Sequence, residues 1–239
     1  MCTGRVDLDF VLRAFSNGMD GVFIGGCRLN ECNYVTQGNY HALNTALLSR
    51  RIMEHVGLNP ERLSIEFMSA GEGIRFAEVT NDFARKVKEL GLLGASEGIG
   101  KAALNSRLAE VRKLVPYIKI EKKEKLRTRL TNPEDYDSHF TREEVDILVR
   151  DAVSYYILPD KCQACMICAA RCPVQAIASG KNLVHVIDQE KCIKCGTCRE
   201  VCPARFSAVA KLPGSEPVPP PLPEGKRDIV RPAKEKEVA

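Results

Sequence analysis

Apolar positions recur at helical spacing over residues 7–17, where Leu8, Val11, Leu12 and Phe15 share one side and Gly18 supplies a stop. Residues 21–26 (GVFIGG) are continuously apolar and close on two glycines, which predicts a buried strand and a turn. A longer helix is predicted over 39–56, stopped by Gly57 and Pro60. Residues 63–68 alternate as a second strand. Residues 72–90 then repeat apolar positions at helical spacing, with Ile74, Ala77, Phe83, Val87 and Leu90 expected to point inward. Helix, strand, helix, strand, helix is the order of an α/β layer with a mostly parallel sheet. Two strands are few for an open sheet that stands alone. Cys2, Thr3 and Gly4 directly precede a helix, where such folds place a strand end. The expectation is a truncated chain, or a sheet completed by something outside this sequence.

The pattern changes after residue 100. Residues 101–130 hold ten Lys or Arg against three Glu, with Leu104, Leu108, Val111, Leu114 and Val115 predicting one helix that ends near Pro116. This basic segment reads as a solvated connector, or as a docking surface for an acidic partner. Residues 131–138 are turn-rich. Thr141 and Glu144 have the spacing of a capping box. The box opens a predicted helix carrying Val145, Leu148, Val149, Ala152, Val153 and Tyr156, ended by Pro159. From Pro213 onward lie seven of the thirteen prolines and the charged run 234–237, which predicts an extended, disordered arm. The expected divisions are an α/β domain at 1–100, a charged helical linker at 101–155, a small α+β cysteine-rich domain at 156–212 and the tail at 213–239.

Composition narrows the function. The 239 residues are 44% apolar and 28% charged, ordinary globular material with a net charge of +4. That charge and the absence of Trp argue against a nucleic-acid binder. No apolar run is long enough for a membrane span, and Asp7 and Asp9 interrupt any signal peptide, so a cytoplasmic location is expected. The stretch GASEGIG at 94–100 follows no strand and lacks the Lys-Ser/Thr of a phosphate loop. His41, His55, His139 and His185 are scattered and read as surface or satisfied residues. No nucleophile motif or carboxylate pair appears, so no catalytic centre is expected.

The cysteines are decisive. Eight of the eleven lie between Cys162 and Cys202, and they form an internal repeat at a constant offset of thirty. Cys162, Cys165, Cys168 and Cys172 map onto Cys192, Cys195, Cys198 and Cys202; Pro173 maps onto Pro203 and Ile157 onto Ile187. Three thiolates spaced three residues apart let one loop wrap an iron–sulfur cube, and the fourth, before a proline, reaches the other cube. Cys162, Cys165, Cys168 and Cys202 are therefore expected to hold one [4Fe–4S] cluster, and Cys192, Cys195, Cys198 and Cys172 a second. Structural zinc favours two separated cysteine pairs and fits this spacing poorly. The region 156–210 resembles bacterial-type two-cluster ferredoxins.

Cys2, Cys27 and Cys32 remain. Cys27 follows the first strand and Cys2 precedes a helix, so both fall on the rim where open α/β folds build their sites. Cys32 lies on the same loop as Cys27. The segment from CTGRVDLDF through GGCRLNECNYVTQGNYHAL, continued by Pro60–Arg62, Leu63 and SAGEG at 69–73, resembles the delta subunit of methyl-viologen-reducing hydrogenase. The resemblance implies a [2Fe–2S] cluster with Cys2, Cys27 and Cys32 among its ligands, and a further strand and cysteine ahead of Cys2. It also implies a non-catalytic electron carrier between a hydrogenase or formate dehydrogenase and a flavoprotein of the heterodisulfide reductase A type. Two other readings stand beside it: a thiol-based redox sensor in which the trio switches by oxidation, and a stand-alone ferredoxin.

Overall fold

The computed structural model describes residues 2–34, 37–130, 132 and 134–229. The chain divides into two compact units, Met1–Val149 and Arg150–Ala239.

In the first unit, α1 (Leu8–Ser16) is capped by Asp7, whose carboxylate accepts the Asp9 N–H at 2.9 Å. It buries Leu8, Val11, Leu12 and Phe15, the four residues that its periodicity selects. Strand β1 (Val22–Gly26) pairs in parallel with β2 (Leu63–Phe67), Val22 opposite Leu63 and Gly26 opposite Phe67. Between them runs α2 (Asn39–Val56), the central helix, burying Ala42, Ala46, Ile52, Met53 and Val56 and ending on Gly57 in the left-handed conformation. Helix α3 (Gly73–Leu90) departs from its expected packing. None of its residues is buried, and Ile74 is 80% exposed. Phe83 and Val87 lie close enough to Gly21 that a side chain there would collide with them. A two-stranded sheet is too narrow to cover an 18-residue helix.

The basic segment is no separate linker. Helix α4 (Lys101–Glu121) passes straight through Pro116 because Leu108, Val111, Val115 and Ile118 bury their side chains on either side of it. That packing outweighs the one backbone hydrogen bond that a proline removes. Arg112 binds both oxygens of Asp9, and Leu126 of α5 (Lys123–Arg127) offers its carbonyl to buried Asn44 at 3.2 Å. Helices α6 (Asp135–His139) and α7 (Arg142–Arg150) follow. The Glu144 N–H donates to Thr141 Oγ1 at 3.1 Å as the capping box requires. The Glu144 carboxylate turns instead to Lys122 and Lys125.

The helix expected to reach Pro159 stops early, and the second unit begins with strand β3 (Ser154–Ile157). It continues with α8 (Ile167–Arg171), β4 (Ile177–Gly180), β5 (Leu183–Ile187), α9 (Thr197–Glu200) and β6 (Val209–Leu212). The strands cross between the halves of the repeat. β3 pairs antiparallel with β6, Ile157 opposite Val209, and β4 pairs with β5, Ile177 opposite Ile187. Residues 213–229 also differ from the expected free arm. Leu222 packs on the core, and Arg227 exchanges backbone and side-chain hydrogen bonds with Val184. The run 234–237 lies outside the described residues.

Candidate metal centres

Each cysteine loop is bent by paired left-handed residues at equivalent places. Ala164 and Met166 take φ of 46° and 65° in one loop, and Lys194 and Gly196 take 56° and 79° in the other. Such turns aim successive N–H groups into the loop, an arrangement that favours negatively charged sulfur. At the equivalent of Met166 only glycine fits, because a Cβ on Gly196 would stand 2.7 Å from the Tyr155 hydroxyl.

The fourth cysteine of each run is oriented in a matched way. Ala176 N–H donates to Cys172 Sγ at 3.3 Å, and Ala208 N–H donates to Cys202 Sγ at 3.3 Å. Gln175 and Ser207, the residues just before these donors, both have positive φ. Cys172 and Cys192 lie together, and one apolar cavity is lined by Cys172, Cys192, Cys195 and Cys198 with Tyr155 and Ile177. Around the other loop, Cys168 is crowded by Cys162, Cys165 and Cys202.

Burial and this crowding push the Cys168 thiol up to about 11 and the Cys198 thiol up to about 12. Burial also raises Cys192, and the Lys194 N–H partly offsets it. Bare thiols would thus stay protonated, so cations must displace their protons on binding. Among the described residues, no three His, Cys, Asp or Glu side chains surround a position for a single ion. A cube suits the thiols better, since each would hold a different iron atom. The eight free cysteines of this unit fit such clusters in donor chemistry.

One residue here departs from its sequence reading as a surface or satisfied histidine. His185 is 1% exposed, its Nδ1 lies 3.3 Å from Cys168 Sγ, and its backbone N–H donates to Cys162 Sγ at 3.5 Å. The repeat offers a signal: His185 stands thirty residues after Tyr155, on the strand equivalent to β3.

In the first unit, Cys2, Cys27 and Cys32 converge beyond the C-terminal end of β1. Cys2 Sγ and Cys32 Sγ are 3.5 Å apart, and Cys27 neighbours both. Thr3 anchors the first segment by donating to the Gly25 carbonyl at 2.9 Å. Asn39, opening α2, donates to the carbonyls of Cys27 (2.9 Å) and Arg28 (2.6 Å). The approach demands glycine at 38, where a Cβ would stand 2.4 Å from Cys32 Sγ. Burial raises the Cys27 thiol, helped by its neighbour Cys32. At Cys32 burial also pushes upward, but the N–H groups of Tyr34 and Asn39 prevail and lower it.

Comparison with known proteins follows this division. Residues 1–91 match the family "Methyl-viologen-reducing hydrogenase, delta subunit". Residues 143–206 match a 4Fe-4S dicluster domain, and 187–234 match the 4Fe-4S single cluster domain of Ferredoxin I. The iron-sulfur D protein of the F420-non-reducing hydrogenase of Archaeoglobus profundus is 42% identical over 90 residues, 38% of this chain and 65% of that protein. Its vhc counterpart from Methanococcus voltae, likewise an F420-non-reducing hydrogenase iron-sulfur protein, is 39% identical over 101 residues, 42% of this chain and 69% of its own length. The A component of the ferredoxin/F(420)H(2)-dependent CoB-CoM heterodisulfide reductase of Methanosarcina acetivorans is 39% identical over 95 residues, 40% of this chain but only 12% of that component. 4Fe-4S clusters therefore belong to the second unit. The chain belongs to the methyl-viologen-reducing hydrogenase delta subunit family, with its delta-subunit region followed by a ferredoxin region of the 4Fe-4S type.

Proposed function

We propose that this chain is a non-catalytic wire that carries single electrons between a hydrogenase or formate dehydrogenase and a heterodisulfide reductase A-type flavoprotein. The observation that carries the reading is the union in one chain of a delta-subunit region with a 4Fe-4S dicluster region whose four-cysteine run is duplicated. Cys162, Cys165, Cys168 and Cys202 hold one [4Fe–4S] cluster; Cys192, Cys195, Cys198 and Cys172 hold the other. Cys2, Cys27 and Cys32 contribute to a [2Fe–2S] cluster. Its reducing chemistry suits the cytoplasm. Among the described residues no helix is long and apolar enough to cross a membrane. Anaerobic affinity purification of the native complex tests the reading. Hydrogenase or formate dehydrogenase subunits and a flavoprotein should co-purify, and a chain recovered alone would defeat it.

The 3.5 Å contact between Cys2 and Cys32 also favours a second reading, in which an external two-electron oxidant takes the electrons and two protons are released as these sulfurs bond, the ferredoxin clusters returning the electrons. Iron and acid-labile sulfide analysis separates the two. About ten irons per chain are expected if the trio holds a cluster, and about eight if it does not.

The basic segment supplies a docking surface for an acidic partner. Lys123 and Arg127 lie one helical turn apart on α5 and border a groove together with Arg5, Val6 and Phe10, where Lys119 is already paired with Asp7. Gly4, two residues from Cys2, lines the same groove, which brings a partner near the trio. Reversing two charges (Lys123→Glu with Arg127→Glu) is expected to slow association with the co-purifying subunits about tenfold at low salt. The salt dependence of the rate should flatten, and stopped-flow mixing at several ionic strengths reads both.

A further inference from the structure

We propose that His185, held in place by buried Arg227, raises the reduction potential of the cluster on Cys162, Cys165, Cys168 and Cys202. The proposal rests on the cluster assignment above.

His185 serves two sulfurs of that set at once, its backbone N–H pointing to Cys162 Sγ (3.5 Å) and its ring to Cys168 Sγ (3.3 Å). A thiolate bound to iron has no proton to give, so the ring must donate through Nδ1–H. Nε2 is then a buried acceptor, and it has no partner among the described residues. An orphaned buried polar atom costs about 1–3 kcal/mol. An aliphatic residue would fill the position without that cost, so stability does not account for a histidine here. At the equivalent position of the other half stands Tyr155, a phenol packed against Gly196. The two halves therefore surround their sulfurs differently.

Arg227 fixes the strand that carries His185. Its carbonyl accepts the Val184 N–H at 2.6 Å, and its Nε donates to the Val184 carbonyl at 3.0 Å. Its other guanidinium nitrogen donates to the Ala178 carbonyl on β4 at 2.8 Å. Leu183 and Asp228 bridge beside it, and Ile229 N–H donates to the Asn182 carbonyl at 3.0 Å. Arg227 is 8% exposed, so its positive charge is largely removed from water and acts across a medium of low dielectric.

The sign follows from charge. One electron enters the cube on reduction, no bond to His185 forms or breaks, and the added negative charge spreads onto the thiolates. Hydrogen bonds to sulfur and a nearby cation stabilise the reduced state more than the oxidised one, so both raise the potential. The carboxy-terminal segment thereby becomes part of one cluster's electrostatic surroundings. Arg227 positions His185 through Val184 and adds the field of its own charge, which is felt at the His185 ring.

The test uses the full chain purified without oxygen, with iron content and the integrated spin signal first establishing both cubes. Failure at that step would defeat the assignment, and not the role of His185. His185 is the only histidine after residue 149, so ¹⁵N-histidine labelling reports it alone beside the cubes. We expect a ¹⁵N hyperfine coupling on one reduced cube in pulsed paramagnetic resonance. Redox titration of His185→Phe should shift one cube to lower potential and leave the other unmoved. His185→Gln, which keeps an N–H donor, should restore part of the shift, and Arg227→Met should move the same cube in the same direction. Absence of the coupling, or a His185→Phe protein titrating like its parent, would overturn the proposal. If His185→Phe does not assemble, the coupling in the unaltered chain and the Arg227→Met titration still decide. A normal Arg227→Met potential would remove Arg227 from it.

Discussion

Replacing Cys202 with alanine is expected to abolish the cube on Cys162, Cys165 and Cys168, and to spare the ligands of its own loop. The reason is the crossed assignment proposed above. Cys202 Sγ is oriented by the Ala208 N–H, and Cys168 lies among Cys162, Cys165 and Cys202. Spin integration of the reduced protein should fall to about half that of two cubes. Pairing the change with a second one identifies the cube. Cys202→Ala with Cys165→Ala should lose no more signal than Cys202→Ala alone, because both residues serve one cluster. Cys202→Ala with Cys195→Ala should lose nearly all of it. If instead the Cys195 combination adds nothing, each run binds its own cube and the crossed assignment is wrong. Stability should fall with the iron. Among its described residues this unit has only two-stranded sheets of short strands, and a metal bound only by the folded chain contributes its binding free energy to folding. The strands cross between the halves of the repeat, as the thiols do in the proposed assignment, so loosening one cube should also weaken the sheets that frame the other.

Arg62→Met should destabilise the first unit by about 3–5 kcal/mol, the usual result of leaving a buried partner charge alone. Arg62 is fully buried, and its Nε donates to Glu97 Oε1 at 2.7 Å. The same guanidinium also donates to the carbonyls of Asp20 (3.0 Å), Leu90 (3.1 Å), Gly91 (2.9 Å) and Leu92 (3.1 Å). It thus joins the end of α3 and the following loop to the residues before β1. Methionine fills the space but leaves a carboxylate and four carbonyls without their donor. Thermal unfolding should drop by about 10 °C for a unit of this size, and a drop under about 2 °C would show that water replaces the guanidinium. Arg62→Lys, keeping charge but not the planar fork, should fall between. Glu97 adds a pH signature. Burial alone would raise its carboxyl, but the Arg62 fork and the Asn59 N–H hold it down at about 2, against an ordinary 4.5. A carboxylate depressed in the folded state contributes stability above its unfolded pKa and loses it as pH falls through the folded one. Stability should therefore decline between about pH 4.5 and 2, and Arg62→Met should flatten that decline.

Much of this is legible in the sequence. The four buried residues of α1, the Gly57 stop of α2 and the Thr141 cap are local consequences of periodicity and capping chemistry. The convergence of Cys2, Cys27 and Cys32 follows from parallel topology, because loops at one end of a parallel sheet meet. The differences share a cause. Helical spacing over 145–156 extends a helix into β3, although the match of Ile157 with Ile187 already ties that segment to a strand. Periodicity points Ile74 inward, but burial also needs a neighbour, and none covers it. Pro116 reads as a stop because a proline's local cost is visible in sequence and the packing that overcomes it is not.

What the sequence determined by itself was the chemistry: the kind of ligand, the spacing that wraps a cube, and the thirty-residue repeat. These are short-range properties, fixed by how far a loop of three residues can carry a thiol. Only the tertiary structure decided that the basic segment belongs to the α/β unit, that residues 227–229 bind at the start of β5, and that His185 meets Cys168. Each of these depends on hydrogen bonds or packing between residues distant along the chain, whose pairing no local pattern records.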